Sequence, residues 1–311
     1  MNKRDLLSLS DLDTTQIRHI IDRAVKIAQS PLAQKKTLED KAVGIYFRKT
    51  STRTRTSFML GAARLGASVV VYGPGDLQIN TGETIQDTAR VLSGYLDALV
   101  LRTAEPIEEM KVFANQPRMA VINAMSDIEH PTQALADLAT LQAHFAHLDG
   151  LHMLYLGEGN STAVALALAM SKIQGMRLTL LTPADYGLPL EFLQIAQCCA
   201  RQHEAKIEQF HDLKNLPEGV DVVYATRWQT TGNCKKDPQW RKAFQPYRVT
   251  QDIMKRVSKR TGTIFMHDLP AVRGEDVESE VLDGPQSIAF RQAQNKLFGA
   301  MAALEWCMLD T

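Results

Sequence analysis

Short, continuous apolar runs at 43–47, 68–72, 98–101, 120–123, 153–156, 178–181, 220–224 and 263–266 alternate with amphipathic helical stretches from residue 41 onward. Strands that are apolar on both faces need cover on both faces, which parallel sheets flanked by helices provide. This alternation makes the chain α/β. Its 311 residues exceed what one modest core uses, so the reading is two domains, each a parallel sheet flanked by helices. The predicted division is 1–148 and 149–285. A long helix over about 131–147 should link the halves, with Asp149-Gly150 ending it before the next strand, and a terminal helix covers about 288–309.

Charge narrows the partners. Lys plus Arg number 35 and Asp plus Glu number 35, which gives no global field to attract nucleic acid or an anionic membrane. Any anion site must be local. The N-terminal Met1-Asn2-Lys3-Arg4-Asp5 leads into a polar helix rather than a signal-peptide core, and no apolar run approaches the roughly 20 residues that span a bilayer. A cytoplasmic protein is expected. The four cysteines, Cys198, Cys199, Cys234 and Cys307, have neither metal-ligand nor redox spacing, so no metal and no cofactor is expected.

The local anion site is legible at Ser51-Thr52-Arg53-Thr54-Arg55, between an apolar strand and a helical pattern. Unsatisfied N–H groups, the positive end of the helix dipole and a guanidinium fork suit a small dianion there. Alone, the segment also reads as an ordinary N-cap with solvated arginines. Two further segments shift the balance: Leu101-Arg102-Thr103 at a strand end and His130-Pro131-Thr132-Gln133 at a helix start.

Together these segments resemble the aspartate and ornithine carbamoyltransferase family, and the run from Asp76 to Leu92 resembles its ornithine branch. Asp283-Gly284-Pro285-Gln286-Ser287 and Gln292-Ala293 extend the likeness to nearly the whole chain. The resemblance implies that Ser51, Thr52, Arg53 and Thr54 bind the phosphate of carbamoyl phosphate, while Arg102, His130 and Gln133 hold the carbamoyl end. It implies a homotrimer or a multiple of trimers, with Gln78 completing a neighbouring subunit's site. It also implies that the terminal helix, 286–311, packs back on the first domain. Two departures stand out. Lys296 matches an arginine that grips the carbamoyl group, supplying a point charge without the planar fork, and Arg48 and Thr50 replace a glutamate and a proline.

The acceptor half departs further. Where the ornithine branch carries an aspartate followed by S-M-G, this chain reads Thr226-Arg227-Trp228-Gln229-Thr230-Thr231-Gly232, and the branch's H-C-L-P is His267-Asp268-Leu269-Pro270. The carboxylate for the acceptor's amine is expected to have moved from position 226 to Asp268, with both positions facing one pocket. The bland account of Asp268 is an ion pair with Arg273 or a nearby lysine. Asn160 matches a family asparagine that grips the amino-acid end of ornithine, and its pair partner is replaced by Ser161. Gly157-Glu158-Gly159 lacks the third glycine of a dinucleotide fingerprint, since position 162 is Thr.

The expected catalytic set is therefore Arg102, His130 and Asp268. Asn160, Thr226, Arg227, Gln229, Thr230, Thr231, Asp268 and Leu269 are expected on the acceptor side, all at the carboxyl ends of strands. Ornithine is the default acceptor, and a shorter diamino acid such as 2,3-diaminopropionate fits the altered residues. Arg227 and Gln229 keep an aspartate-type dicarboxylic acceptor open. A catalytically weakened regulatory paralogue is the alternative outside the enzyme class.

Overall fold

The computed structural model describes residues 3–230 and 235–309. The chain divides into two compact units, Met1–His144 with Gln294–Thr311, and Phe145–Ala293.

In the first unit four strands, β1 (Ala42–Phe47), β2 (Ser68–Tyr72), β3 (Ala98–Arg102) and β4 (Ala120–Asn123), form a sheet in the order β2-β1-β3-β4. Every pairing is parallel. Strands β1 and β3 are apolar and buried almost throughout because they lie inside the sheet, with Tyr46, Leu99, Leu101, Phe113 and Val121 in one cluster. The helices are α1 (Thr14–Gln29), α2 (Arg53–Arg64), α3 (Ile85–Leu92), α4 (Ile107–Ala114) and α5 (Pro131–Phe145). Helix α1 shows how sequence sets an element: Asp13 Oδ1 accepts from Gln16 N at 2.8 Å while Gln16 Oε1 accepts from Asp13 N at 2.9 Å. That capping box starts a helix whose Ile17, Ile20, Ile21, Ala24 and Ile27 fall on one buried face.

The second unit has β5 (His152–Leu156), β6 (Arg177–Leu181), β7 (Lys206–Phe210), β8 (Val222–Ala225) and β9 (Ile264–His267), ordered β7-β6-β5-β8-β9 and all parallel. Its helices are α6 (Ser161–Met170), α7 (Leu190–Ala200), α8 (Trp240–Phe244), α9 (Gln251–Val257) and α10 (Ser279–Leu282), and α11 (Ala289–Met308) runs on into the first unit's residues. All ten residues of α6 are buried, as expected for a helix apolar on every side.

Strand β7 escaped the sequence reading. Lys206-Ile207-Glu208-Gln209-Phe210 pairs only with β6 and buries only Ile207 fully, and such an edge carries charge rather than a continuous apolar run. The linking helix stops at Phe145 because Ala146 takes a left-handed backbone, φ 65°. The first turn of α11 stays with the second unit. Ile288 N donates to Phe265 O at 2.9 Å, and His267 N donates to Gln292 Oε1 at 2.9 Å. From Gln294 onward α11 belongs to the first unit, where Asn295 Nδ2 donates to Thr140 Oγ1 at 2.9 Å. A Cβ on Gly299 would stand 2.9 Å from Ala136 Cβ, so glycine permits the close approach of α11 to α5. Among the described residues no helix is long and apolar enough to cross a membrane.

Candidate active site

In the first unit, parallel register pairs Phe47 with Arg102, which brings the loop entering α2 beside the end of β3. Thr52 takes the N-cap position of α2 with helical backbone angles, φ −78° and ψ −61°, and makes no side-chain cap bond. The ordinary N-cap role for Thr52 is therefore not taken up. Ser51 and Arg53 are half-buried and Thr54 is buried. Arg55 stacks on Phe47, with its guanidinium carbon 5.5 Å from the ring centroid. Arg48, one of the departures, is committed to structure: it forks onto Glu109 at 2.7 and 2.6 Å and donates to Tyr46 Oη at 2.9 Å.

Arg102 and His130 are both buried, with Arg102 Nη1 3.4 Å from His130 Nε2. A guanidinium only donates, so Nε2 is the acceptor and Nδ1 carries the proton, facing Thr132 Oγ1 at 3.4 Å. Burial, then the charges of Lys296 and Arg102, holds His130 well below the ordinary histidine range. The imidazole is neutral beside two cations. Gln133 is buried and doubly engaged, accepting from Lys296 Nζ and donating through Nε2 to Asp137 Oδ1 at 2.9 Å. Its Oε1 is thus already turned toward Lys296 and retains one lone pair for a further donor. Gln78 lies exposed on the 3-10 turn Gln78–Thr81, accepting from Thr81 Oγ1 at 2.7 Å.

In the second unit, register again assembles the residues. Leu156 pairs with Ala225 and Ala225 with His267, so the segments beginning at Gly157, Thr226 and Asp268 leave the sheet side by side. Asn160 caps α6: its Oδ1 accepts from Thr162 N at 3.0 Å, Ala163 N at 3.2 Å and Tyr155 Oη at 3.3 Å. Its Nδ2 donates to Thr226 Oγ1 at 3.0 Å. The Thr226 hydroxyl must then send its own proton onward, to Asp268 at 3.1–3.2 Å. Thr162 Oγ1 donates to the same carboxylate at 2.9 Å.

The ion pair Asp268–Arg273 of the bland account does not form. Arg273 instead forks onto Asp283 at 2.5 and 2.9 Å. Nor is the 3.5 Å approach of His267 Nδ1 to Asp268 a salt bridge, because Nδ1 accepts from Leu269 N at 2.8 Å and Nε2 faces Asp276 Oδ2 at 3.0 Å. Leu269 has φ 53° and packs against the unit's core. Arg227 and Gln229 are half-buried, and buried Trp228 stacks on Phe244 at 5.6 Å between centroids. Thr230 donates its N–H and hydroxyl to Glu158 Oε2 at 3.3 and 3.2 Å. Thr231 lies outside the described residues.

Thr162 and Glu158 went unread as site neighbours. Thr162, which the missing third glycine of a dinucleotide fingerprint singles out, stands two residues after a helix-capping asparagine, and that place is the usable signal. Gly159 needs no phosphate to explain it, since a Cβ there would fall 2.3 Å from the Gly187 carbonyl carbon. Among the described residues no three His, Cys, Asp or Glu side chains are grouped to hold a metal ion.

One α/β unit carries a buried cationic cluster beside a helix start without a side-chain cap, and the other a carboxylate held by two hydroxyls, features that suit an enzyme transferring a group between an anionic donor and an amine. Comparison with known proteins makes the class specific. Residues 4–143 match the aspartate/ornithine carbamoyltransferase carbamoyl-P binding domain, and residues 149–307 match that family's Asp/Orn binding domain. The chain belongs to the aspartate/ornithine carbamoyltransferase family. It is 39% identical over 311 residues to the ornithine carbamoyltransferase of Oceanobacillus iheyensis, covering 99% of this chain and 95% of that protein. To that of Hyperthermus butylicus it is 38% identical over 307 residues, covering 97% and 96%. The solved ornithine carbamoyltransferase of Pyrococcus furiosus superposes with a TM-score of 0.92 at 36% identity, covering 99% of this chain and 97% of that one. The enzyme is an ornithine carbamoyltransferase-like transferase that uses carbamoyl phosphate.

Proposed function

We propose that the enzyme moves the carbamoyl group to the side-chain amine of a diamino acid, with ornithine as the reference acceptor and Asp268 as the carboxylate that meets the amine. The observation that carries this is the clamp on Asp268, which receives hydroxyl protons from Thr162 at 2.9 Å and Thr226 at 3.1–3.2 Å. Such donors aim a carboxylate while leaving lone pairs for an ammonium. Relatives named ornithine carbamoyltransferase support ornithine, and the displaced carboxylate supports a shorter diamino acid as competitor.

In this reading Arg53 and the first N–H groups of α2 bind the phosphate, and Arg102 polarises the carbonyl oxygen. Neutral His130, whose Nε2 accepts from Arg102, helps orient that guanidinium without repelling the incoming amine. The amine nitrogen forms the new N–C bond as the C–O bond to phosphate breaks, and the nitrogen's proton leaves with the phosphate. Asp268 orients the nitrogen; the acceptor's ammonium gives one proton to solvent to become the attacking amine, and the departing dianion takes the second as the N–C bond forms. Positioning two substrates supplies about 7–11 kcal/mol of barrier lowering in favourable cases. Exposed Gln78 supports a trimer in which a neighbouring subunit receives it, and a sedimentation mass equal to one chain would end that part.

The test is phosphate release from carbamoyl phosphate with ornithine, 2,4-diaminobutyrate, 2,3-diaminopropionate, putrescine, lysine and aspartate. A diamino acid should be fastest. Aspartate turning over fastest transfers the site to the dicarboxylic reading, and carbamoyl phosphate bound without turnover across the panel transfers it to the regulatory one.

A further inference from the structure

Lys235 is a lysine whose side chain is only 8% exposed, and its ammonium lies 4.6 Å from the Tyr186 ring centroid, 5.2 Å from Phe244 and 5.4 Å from Trp240. It donates to Glu158 Oε1, while the other oxygen of that carboxylate takes the N–H and hydroxyl of Thr230. Tyr186 ties in the same loop from a second side, because Gly159 N donates to Tyr186 O at 2.7 Å. Three rings and one carboxylate thus enclose a single cation.

We infer that Lys235 is a specificity-determining positioning residue: by occupying Glu158 it fixes Thr230 and withholds a second carboxylate from the acceptor's amine, leaving Asp268 as the one presented. This rests on the acceptor reading above. The physical case is geometric. Glu158 sits two residues before Asn160, whose amide leads through Thr226 to Asp268, so one short segment carries both the Glu158 carboxylate and the start of the polar chain that reaches Asp268. An unpaired carboxylate at 158 would draw an alkyl ammonium as readily as Asp268 does. A diamine lacking the α-carboxylate would then bind without the register that a diamino acid needs.

The experiment uses the full-length protein and two readouts: KM for L-ornithine at saturating carbamoyl phosphate, and inhibition by putrescine competitive with ornithine. Lys235→Met keeps the apolar stem inside the aromatic box and removes the charge. It should raise ornithine KM about tenfold and tighten putrescine by a comparable factor, the size of one charge-assisted contact. Lys235→Arg should stay within about threefold of wild type, since charge and ring stacking persist. Glu158→Gln should raise ornithine KM without tightening putrescine, and the double variant should lose the putrescine gain.

Opposite movement of the two readouts is what a merely structural role does not produce. If both constants worsen together in Lys235→Met, or neither moves while indole emission shows the box disturbed, the inference is overturned. Should Lys235→Met fail to fold, Glu158→Gln decides the matter, because unchanged ornithine KM in it also overturns the inference. Failure of the underlying acceptor reading is separable: there Asp268→Asn leaves ornithine KM untouched.

Discussion

The two binding surfaces solve opposite electrostatic problems. The donor surface gathers cations, with Arg102 and Lys296 buried around a neutral His130 and the open start of α2 next to Arg53. On the proposed acceptor side Asp268 takes its hydrogen bonds from the Thr162 and Thr226 hydroxyls, with the Asn160 amide donating to Thr226. A dianionic leaving group needs fixed positive charge, whereas an amine that must become a nucleophile needs orientation with little added charge. If the proposed assignments hold, the reaction's charge requirements are divided between the two units, and substitutions on either side should separate cleanly in kinetics.

The largest effect is expected from Arg53→Ala. Losing the guanidinium fork should lower kcat/KM for carbamoyl phosphate by about 10²–10³ and abolish inhibition by inorganic phosphate. A variant that still binds phosphate normally would sink the phosphate-cradle assignment and with it the donor side of the contrast. Next comes Asp268→Asn, which should reduce kcat/KM for the acceptor roughly a hundredfold, about 2–3 kcal/mol, with the carbamoyl phosphate constant nearly intact. Equal damage to both substrates' constants would show that the two surfaces do not divide the work. Thr226→Val is a finer probe. It removes one of two hydroxyl donors to Asp268 and leaves Asn160 Nδ2 without its acceptor, so acceptor kcat/KM should fall about tenfold. An acceptor constant unmoved by that change would assign the clamp to Thr162 alone.

The donor surface was the more legible in sequence, and the reason is locality. Ser51 to Arg55, Arg102 and His130 to Gln133 are compact segments at the ends of apolar runs, and the strand-end rule gathers them without further information. The acceptor contact joins Thr226 to Asp268, far apart in sequence, and depends on β8 pairing with β9 in the register Ala225 to His267. Family resemblance suggested that pair, while residue pattern alone had no way to fix the register. Lys235 was invisible for a further reason. Its partners Glu158, Tyr186, Trp240 and Phe244 come from two loops and a five-residue helix, and no spacing rule links them. Strand β7 was hidden because an edge strand needs little apolar surface, and the pairing of Arg48 with Glu109 joins residues that no local pattern links.

The smallest expected effect compares the units through two histidines. His152 opens β5, its Nε2 3.0 Å from Thr179 Oγ1, and burial, then the charge of Arg177, lowers it from 6.5 to about 4 against the opposing pull of Asp221 and Glu208. His130 is lowered by burial and two cations. In both cases the unfolded chain takes a proton at a pH where the folded one refuses it. For His152 the stability is therefore complete above the unfolded value near 6.5 and is lost as pH falls toward about 4, and His130 loses stability in the same direction. For His152 the loss should reach about 1–2 kcal/mol after allowance for solvent screening. Urea unfolding midpoints at pH 7 and pH 4.5 check this. His152→Gln should flatten part of the acid loss and leave turnover at pH 7 unchanged, because nothing places His152 on either binding surface. His130→Gln should flatten another part at the cost of carbamoyl phosphate turnover. If His152→Gln left the acid slope as steep as in wild type, the buried neutral histidine that separates structure from catalysis in this comparison would have to be sought in the donor unit alone.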